Sequence, residues 1–141
     1  MISKLNLARV AVAEGRSQSA ITDLRAAVQE AESQHLKYYS VQGSVDLAQA
    51  LINTKDYAHA REQLDSALGQ SEKLGLRLET ARIQFLLGNA SQATGHAGEA
   101  EGHYRQATTL VNEMSKESGA EKLAERADLK AMLQRARQLQ G

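Results

Sequence analysis

Ala20, Ala60 and Ala100 stand forty residues apart, and the residues after them repeat in kind: Leu24, Leu64 and Tyr104 four places on, Ala27, Ala67 and Ala107 seven places on. Upstream, Leu7, Leu47 and Leu87 each precede a small residue, Ala8, Ala48 and Gly88. Small and large apolar positions recurring at one period describe copies of one unit. Each copy then buries its apolar face against its neighbours rather than in a closed core. The chain has hydrophobic residues at 42% but aromatics at only 4%, so Leu, Ile and Val must seal it against many alanines. That composition suits helices whose backbones approach closely. Proline is absent, and the segments are rich in Ala, Leu, Gln, Glu, Lys and Arg, the residues that form helices best. The expected class is all-α.

Charge and cysteine content narrow the function. Lys plus Arg and Asp plus Glu both number 17, for a formal net charge of zero. A sequence-independent grip on DNA or RNA needs a basic surplus to displace counterions, so no nucleic-acid partner is expected. Zero cysteines remove disulfides, Cys-based zinc sites and thiol nucleophiles. No apolar run approaches the ~20 residues of a membrane helix, and the first residues lack the apolar stretch of a secretion signal. A soluble cytoplasmic chain is the expectation.

Each unit reads as two helices. Val41, Val45, Ala48 and Ile52, with Leu47 and Leu51 beside them, make a broad apolar stripe at helical spacing. Asn53-Thr54-Lys55-Asp56 breaks it, and Asp56 is placed to cap the next helix by accepting from first-turn amides. That helix carries Ala60, Leu64, Ala67, Leu68 and Leu74 on one side. Gly15 and Gly95 occupy the place of Lys55 in the flanking units, which fits a helix end that needs positive φ.

This pattern resembles the tetratricopeptide repeat family. The motif is carried by Leu87-Gly88 with Ala100, Tyr104 and Ala107, by Leu47-Ala48 with Ala60, Leu64 and Ala67, and by Leu7-Ala8 with Ala20, Leu24 and Ala27. The family unit is ~34 residues, so the longer period here implies extended helices. Lys4, Ser44 and Gln84 stand where the family has a large aromatic, and its helix-ending proline is missing. The resemblance implies a right-handed α-solenoid of three helix-turn-helix repeats, about 1–36, 37–76 and 77–115, forming one domain over 1–141. A capping helix over about 121–139 completes it: Leu129, Met132, Leu133, Ala136 and Leu139 match Ile83, Leu86, Leu87, Ala90 and Ala93 at a constant offset of 46. The opening helix, with Ile2, Leu5 and Val12, lacks a preceding partner. The chain is therefore expected to be either the C-terminal part of a longer array or an array with a frayed first helix. The ending Glu125-Arg126-Ala127-Asp128-Leu129-Lys130 is similar to the tails of such arrays in large bacterial signalling proteins.

Ligands of this family lie in the concave groove lined by first helices. The resemblance turns Arg9 of the first unit inward, with Gln42, Asp46, Gln49 and Asn53 of the second, and Arg82, Phe85, Asn89 and Gln92 of the third. Ile2, Leu5, Asn6, Val12, Ala13, Val45 and Leu86 are expected to share that side. Asn and Gln can pair with the backbone of an extended peptide, and Arg can grip a carboxylate through two parallel bonds. The plainer alternative is a set of polar residues on a solvated helix face. One subfamily clamps a C-terminal carboxylate, but those positions hold Leu5, Arg9, Asp46, Arg82 and Leu86 here. Only Arg82 keeps the required charge and Asp46 would repel a carboxylate, so that clamp is not expected.

Catalysis finds little material. His96, Glu99 and His103 occur at intervals of three and four, a spacing that can present metal ligands on one face. Ala100, Tyr104 and Ala107 already claim the packed side of that helix. His59 and Glu62 read as a solvated pair, and His35 lies near Tyr38 and Tyr39, which are expected to fill gaps between units. Gly95, Gly98 and Gly102 lack the Lys-Ser/Thr of a phosphate loop, and no serine stands in a nucleophile elbow. The expectation is a non-enzymatic protein- or peptide-binding scaffold without metal or cofactor. The alternative is a homo-oligomerisation module that dimerises through the uncovered N-terminal helix.

Overall fold

The computed structural model describes residues 17–116, which form five α-helices: α1 (Ser17–Ser33), α2 (Lys37–Asn53), α3 (Tyr57–Leu74), α4 (Arg77–Ala93) and α5 (Ala97–Ser115). No β-strand occurs among the described residues, and the all-α expectation holds. Arg9, the expected opening helix with its expected uncovered face, and the expected capping helix over about 121–139 lie outside the described residues. The helices α2 and α3 lie within residues 37–74, and α4 and α5 within 77–115.

The chain divides into two compact units after Gly75. In the first, α1 packs on α2 and α2 packs on α3; in the second, α4 packs on α5. Burial takes two patterns. The helices α1, α3 and α5 bury one narrow stripe each, led by Ala20-Leu24-Ala27-Ala31, Ala60-Leu64-Ala67-Ser71 and Ala100-Tyr104-Ala107-Val111. The helices α2 and α4 are buried far more widely. Ser40, Val41, Gly43, Ser44, Leu47, Ala48, Ala50 and Leu51 on α2 correspond, forty residues on, to buried positions of α4. The sequence period is thus a period of burial.

Tight packing explains the paired small and large residues. In the second unit a Cβ built on Gly88 would stand 2.6 Å from Tyr104 Cε1, so the ring lies directly on the α4 backbone. The corresponding residues of the first unit are Ala48 and Leu64, both fully buried. A larger side chain on one helix is matched by a smaller one on the other, as close packing requires.

The helix ends repeat at half the period. His35, Lys55, Gly75 and Gly95 all have positive φ, at 58°, 68°, 69° and 83°. After each of three helices the amide three places past the end donates to a carbonyl five back: Leu36 N to Ala31 O, Asp56 N to Leu51 O and His96 N to Ser91 O, each at 2.8 Å. These paired bonds satisfy carbonyls that a helix end leaves open. Lys55 therefore does the work of the glycines at the equivalent place despite its Cβ.

Some expected core positions move. Leu74 is 41% exposed, because the α3 stripe runs Ala60-Leu64-Ala67 and continues through Ser71, not Leu74. Ser71 buries itself by donating its hydroxyl to Leu68 O at 3.1 Å. Ile52 is only half-buried. Tyr38 is 45% exposed, with Tyr39 at its edge, so it does not fill a gap.

Candidate functional site

The wide burial of α2 leaves one polar stripe uncovered. Tyr38, Gln42, Asp46, Gln49 and Asn53 are half-buried or exposed, while their neighbours Val41, Ser44, Val45 and Ala48 are buried. Steps of three and four residues keep them on one helix face. A similar stripe on α4 runs through Leu78, Arg82 and Asn89, forty residues on from Tyr38, Gln42 and Gln49, with Phe85 and Gln92 each one place off that register. Gln42, Asp46, Gln49, Asn53, Arg82, Phe85, Asn89 and Gln92 fall on these two stripes, and Arg9 lies outside the described residues. Val45 and Leu86 do not join them: both are buried, at 6% and 4% exposure, and belong to the packed side.

Each stripe has internal order. On α2, the Gln49 carboxamide donates from Nε2 to Asn53 Oδ1 at 2.9 Å, and Gln42 Nε2 lies 3.5 Å from the Tyr38 hydroxyl. Both contacts run one helical turn along the face and hold the amides in a row. On α4, the Tyr104 hydroxyl donates to Asn89 Oδ1 at 2.6 Å. Tyr104 reaches this point because Gly88 lets its ring cross the helix, and the ring also meets Phe85 at a centroid distance of 5.6 Å. The carboxamide of Asn89 is thereby oriented from below, and Phe85 is held beside it as a half-buried apolar surface. Gln92 borders a small cleft of about 210 Å³ against Gly98 and Glu101 of α5.

Arg82 is half-buried and lies 3.7 Å from the carboxylate of Glu79, itself 4% exposed and one turn earlier. A buried carboxylate demands a cation, so Arg82 balances Glu79 first. A partner's carboxylate would meet a guanidinium whose charge is already shared.

Three of the four histidines are engaged individually. His103 Nδ1 is 2.7 Å from Gln84 Oε1 on α4, and His96 Nδ1 is 3.0 Å from the Thr94 hydroxyl. No group of three or more His, Asp or Glu side chains is placed to hold a metal ion among the described residues. His59 turns to Asp56 rather than Glu62: its Nδ1 lies 2.8 and 2.9 Å from the two carboxylate oxygens, and its backbone amide donates to Asp56 at 3.4 Å. Asp56 thus caps α3 as the sequence indicated. The hydrogen bond from His59 holds the Asp56 carboxyl below its ordinary value.

Sequence reasoning missed Gln84 and Ser40. Gln84 occupies the place of the family aromatic, yet it is buried and anchors His103 across to α5. A polar residue at an otherwise apolar register position was the available signal. Chemically, the stripes offer donors and acceptors in a row with two aromatic surfaces, Tyr38 and Phe85, and one shared cation. No family model matches the chain, and no curated protein compared with it matches. No helix among the described residues is long and apolar enough to cross a membrane.

Proposed function

We propose that this chain is a non-enzymatic, tetratricopeptide-like scaffold whose first-helix faces hold a protein or peptide partner, through the polar stripe of α2 in one unit and that of α4 in the other. On this reading it serves in the cytoplasm as the interaction segment of a larger protein. The observation that carries the reading is the register match of two stripes on otherwise buried helices: Gln42 with Arg82 and Gln49 with Asn89, each pair forty residues apart. Carboxamides both donate and accept, which is what the alternating N–H and C=O groups of an extended backbone require. Phe85 adds a place for one apolar side chain of the partner.

The test uses peptides selected from a random display library against the full chain. Replacing Gln49 and Asn89 together by alanine should weaken the selected peptides by about tenfold or more, since two hydrogen bonds of about 0.5–1.5 kcal/mol each are lost. Affinities equal to those of the parent chain would place the contacts elsewhere. Far-ultraviolet circular dichroism of the variant checks that the helices remain.

A further inference from the structure

A cavity of about 300 Å³ opens in the first unit between the end of α1, the first turn of α2 and the end of α3. It is at the small end of the range for small-molecule sites. Its walls are chemically divided. Ala31, Leu36 and Leu74 form an apolar side, and Leu74 is one of two large apolar residues left substantially exposed among those described. Lys37 and Lys73 supply two cations against the single carboxylate of Glu32. Neither lysine joins an ion pair among the described residues. His35 and Gln70 complete the polar side.

Two further features belong to the same wall. Leu36 provides no side-chain cap to α2, so the first-turn amides of this 17-residue helix keep their unmatched donors and the positive end of the dipole. Ser40, one turn in, is 3% exposed, and its hydroxyl has no hydrogen-bond partner. The corresponding residue forty places on behaves differently: the Thr80 hydroxyl donates to Leu76 O at 2.9 Å. A buried polar group without a partner is costly, and at the edge of a cavity a ligand oxygen relieves that cost.

We propose that this cavity binds a small monocarboxylate on a short branched apolar chain, with the carboxylate at Lys37, Lys73 and Ser40 and the chain on Leu36 and Leu74. Two lysines less Glu32 leave one net positive charge, which matches a monoanion and not a phosphate dianion. The apolar wall requires a hydrocarbon end, and the volume keeps it short. The same chemistry is offered by a free acid and by a peptide ending in leucine.

The experiment titrates the full chain at neutral pH and low salt with 4-methylpentanoate and with N-acetyl-Gly-Gly-Leu, tracking backbone amide resonances. The corresponding amides, 4-methylpentanamide and N-acetyl-Gly-Gly-leucinamide, serve as uncharged controls. At least one acid should bind with shifts concentrated at residues 31–40 and 70–74, and its amide should bind about tenfold more weakly or worse. Lys73→Gln should weaken the acid by a similar factor, and Ser40→Ala by a few-fold, with unchanged helix content. Binding by the free acid alone, or by the peptide alone, supports the site and identifies its source. An acid that binds no better than its amide, or no saturation by either acid at millimolar concentration, overturns the proposal. Gln42, Asp46, Gln49 and Asn53 do not wall this cavity, so its failure leaves the stripe reading standing.

Discussion

Gly88 and Tyr104 show how one residue sets another. An alanine at 88 in open helix would gain about 0.5–1 kcal/mol over glycine from backbone entropy. Here its Cβ would meet three ring atoms of Tyr104 at 2.6–2.9 Å, and the ring is pinned by its hydroxyl at Asn89. Overpacking wins, so Gly88→Ala should destabilise by about 1–3 kcal/mol in chemical denaturation. Adding Tyr104→Leu recreates the Ala48–Leu64 pair of the first unit. The double variant should be more stable than Gly88→Ala alone, a non-additivity expected only of residues in contact. Asp56 gives a prediction in pH. Its carboxyl is held below the ordinary value of 3.8 by His59, so the folded state favours the ionised form. That contribution is complete above the ordinary value and is lost as pH falls through the lowered one. Thermal melts from pH 6 down to about pH 2 should therefore fall less steeply for Asp56→Ala than for the parent chain; equal slopes would remove His59 from the account.

At the level of the element, the turn is the unit that repeats most faithfully. Positive φ recurs at 35, 55, 75 and 95, yet only two of the four positions are glycine. Local sequence marked Gly95 as a helix end, and the forty-residue register carried that inference to Lys55, which no residue preference would have chosen. A left-handed Cβ costs about 1–2 kcal/mol, partly offset by the entropy that glycine loses on folding. Lys55→Gly should accordingly stabilise the chain by about 0.5–1 kcal/mol, seen as a raised denaturation midpoint with an unchanged slope. A lower midpoint would mean that the lysine makes a contact worth more than the strain. The stripe of α3 was legible in Ala60, Leu64 and Ala67 but not at its end. Apolar character favoured Leu74, whereas helical geometry puts Ser71 on the buried line, with its hydroxyl satisfied inside its own helix.

Across the whole molecule, the two units display the same division of labour: helices with one narrow buried stripe, and helices buried on all but one polar face. Helical spacing fixes which residues share a face, whereas the choice of that face as the candidate site came from the resemblance to the tetratricopeptide pattern. The states of those residues were not legible in the chain. That Arg82 answers a buried Glu79, that Asn89 is oriented by Tyr104, and that Val45 and Leu86 sink into the core depend on packing between helices, which spacing alone does not encode. The cavity beside Ser40 was equally hidden, since its walls come from segments thirty or more residues apart in sequence. The central claim is that partner binding runs along the polar stripes, and amide chemical-shift mapping of the full chain with a library-selected peptide tests it most directly. The largest changes should fall at Gln42, Asp46, Gln49 and Asn53 and at Arg82, Phe85, Asn89 and Gln92. Changes confined instead to the solvent faces of α1, α3 and α5, around Arg25, Glu62 and Arg105, would contradict it.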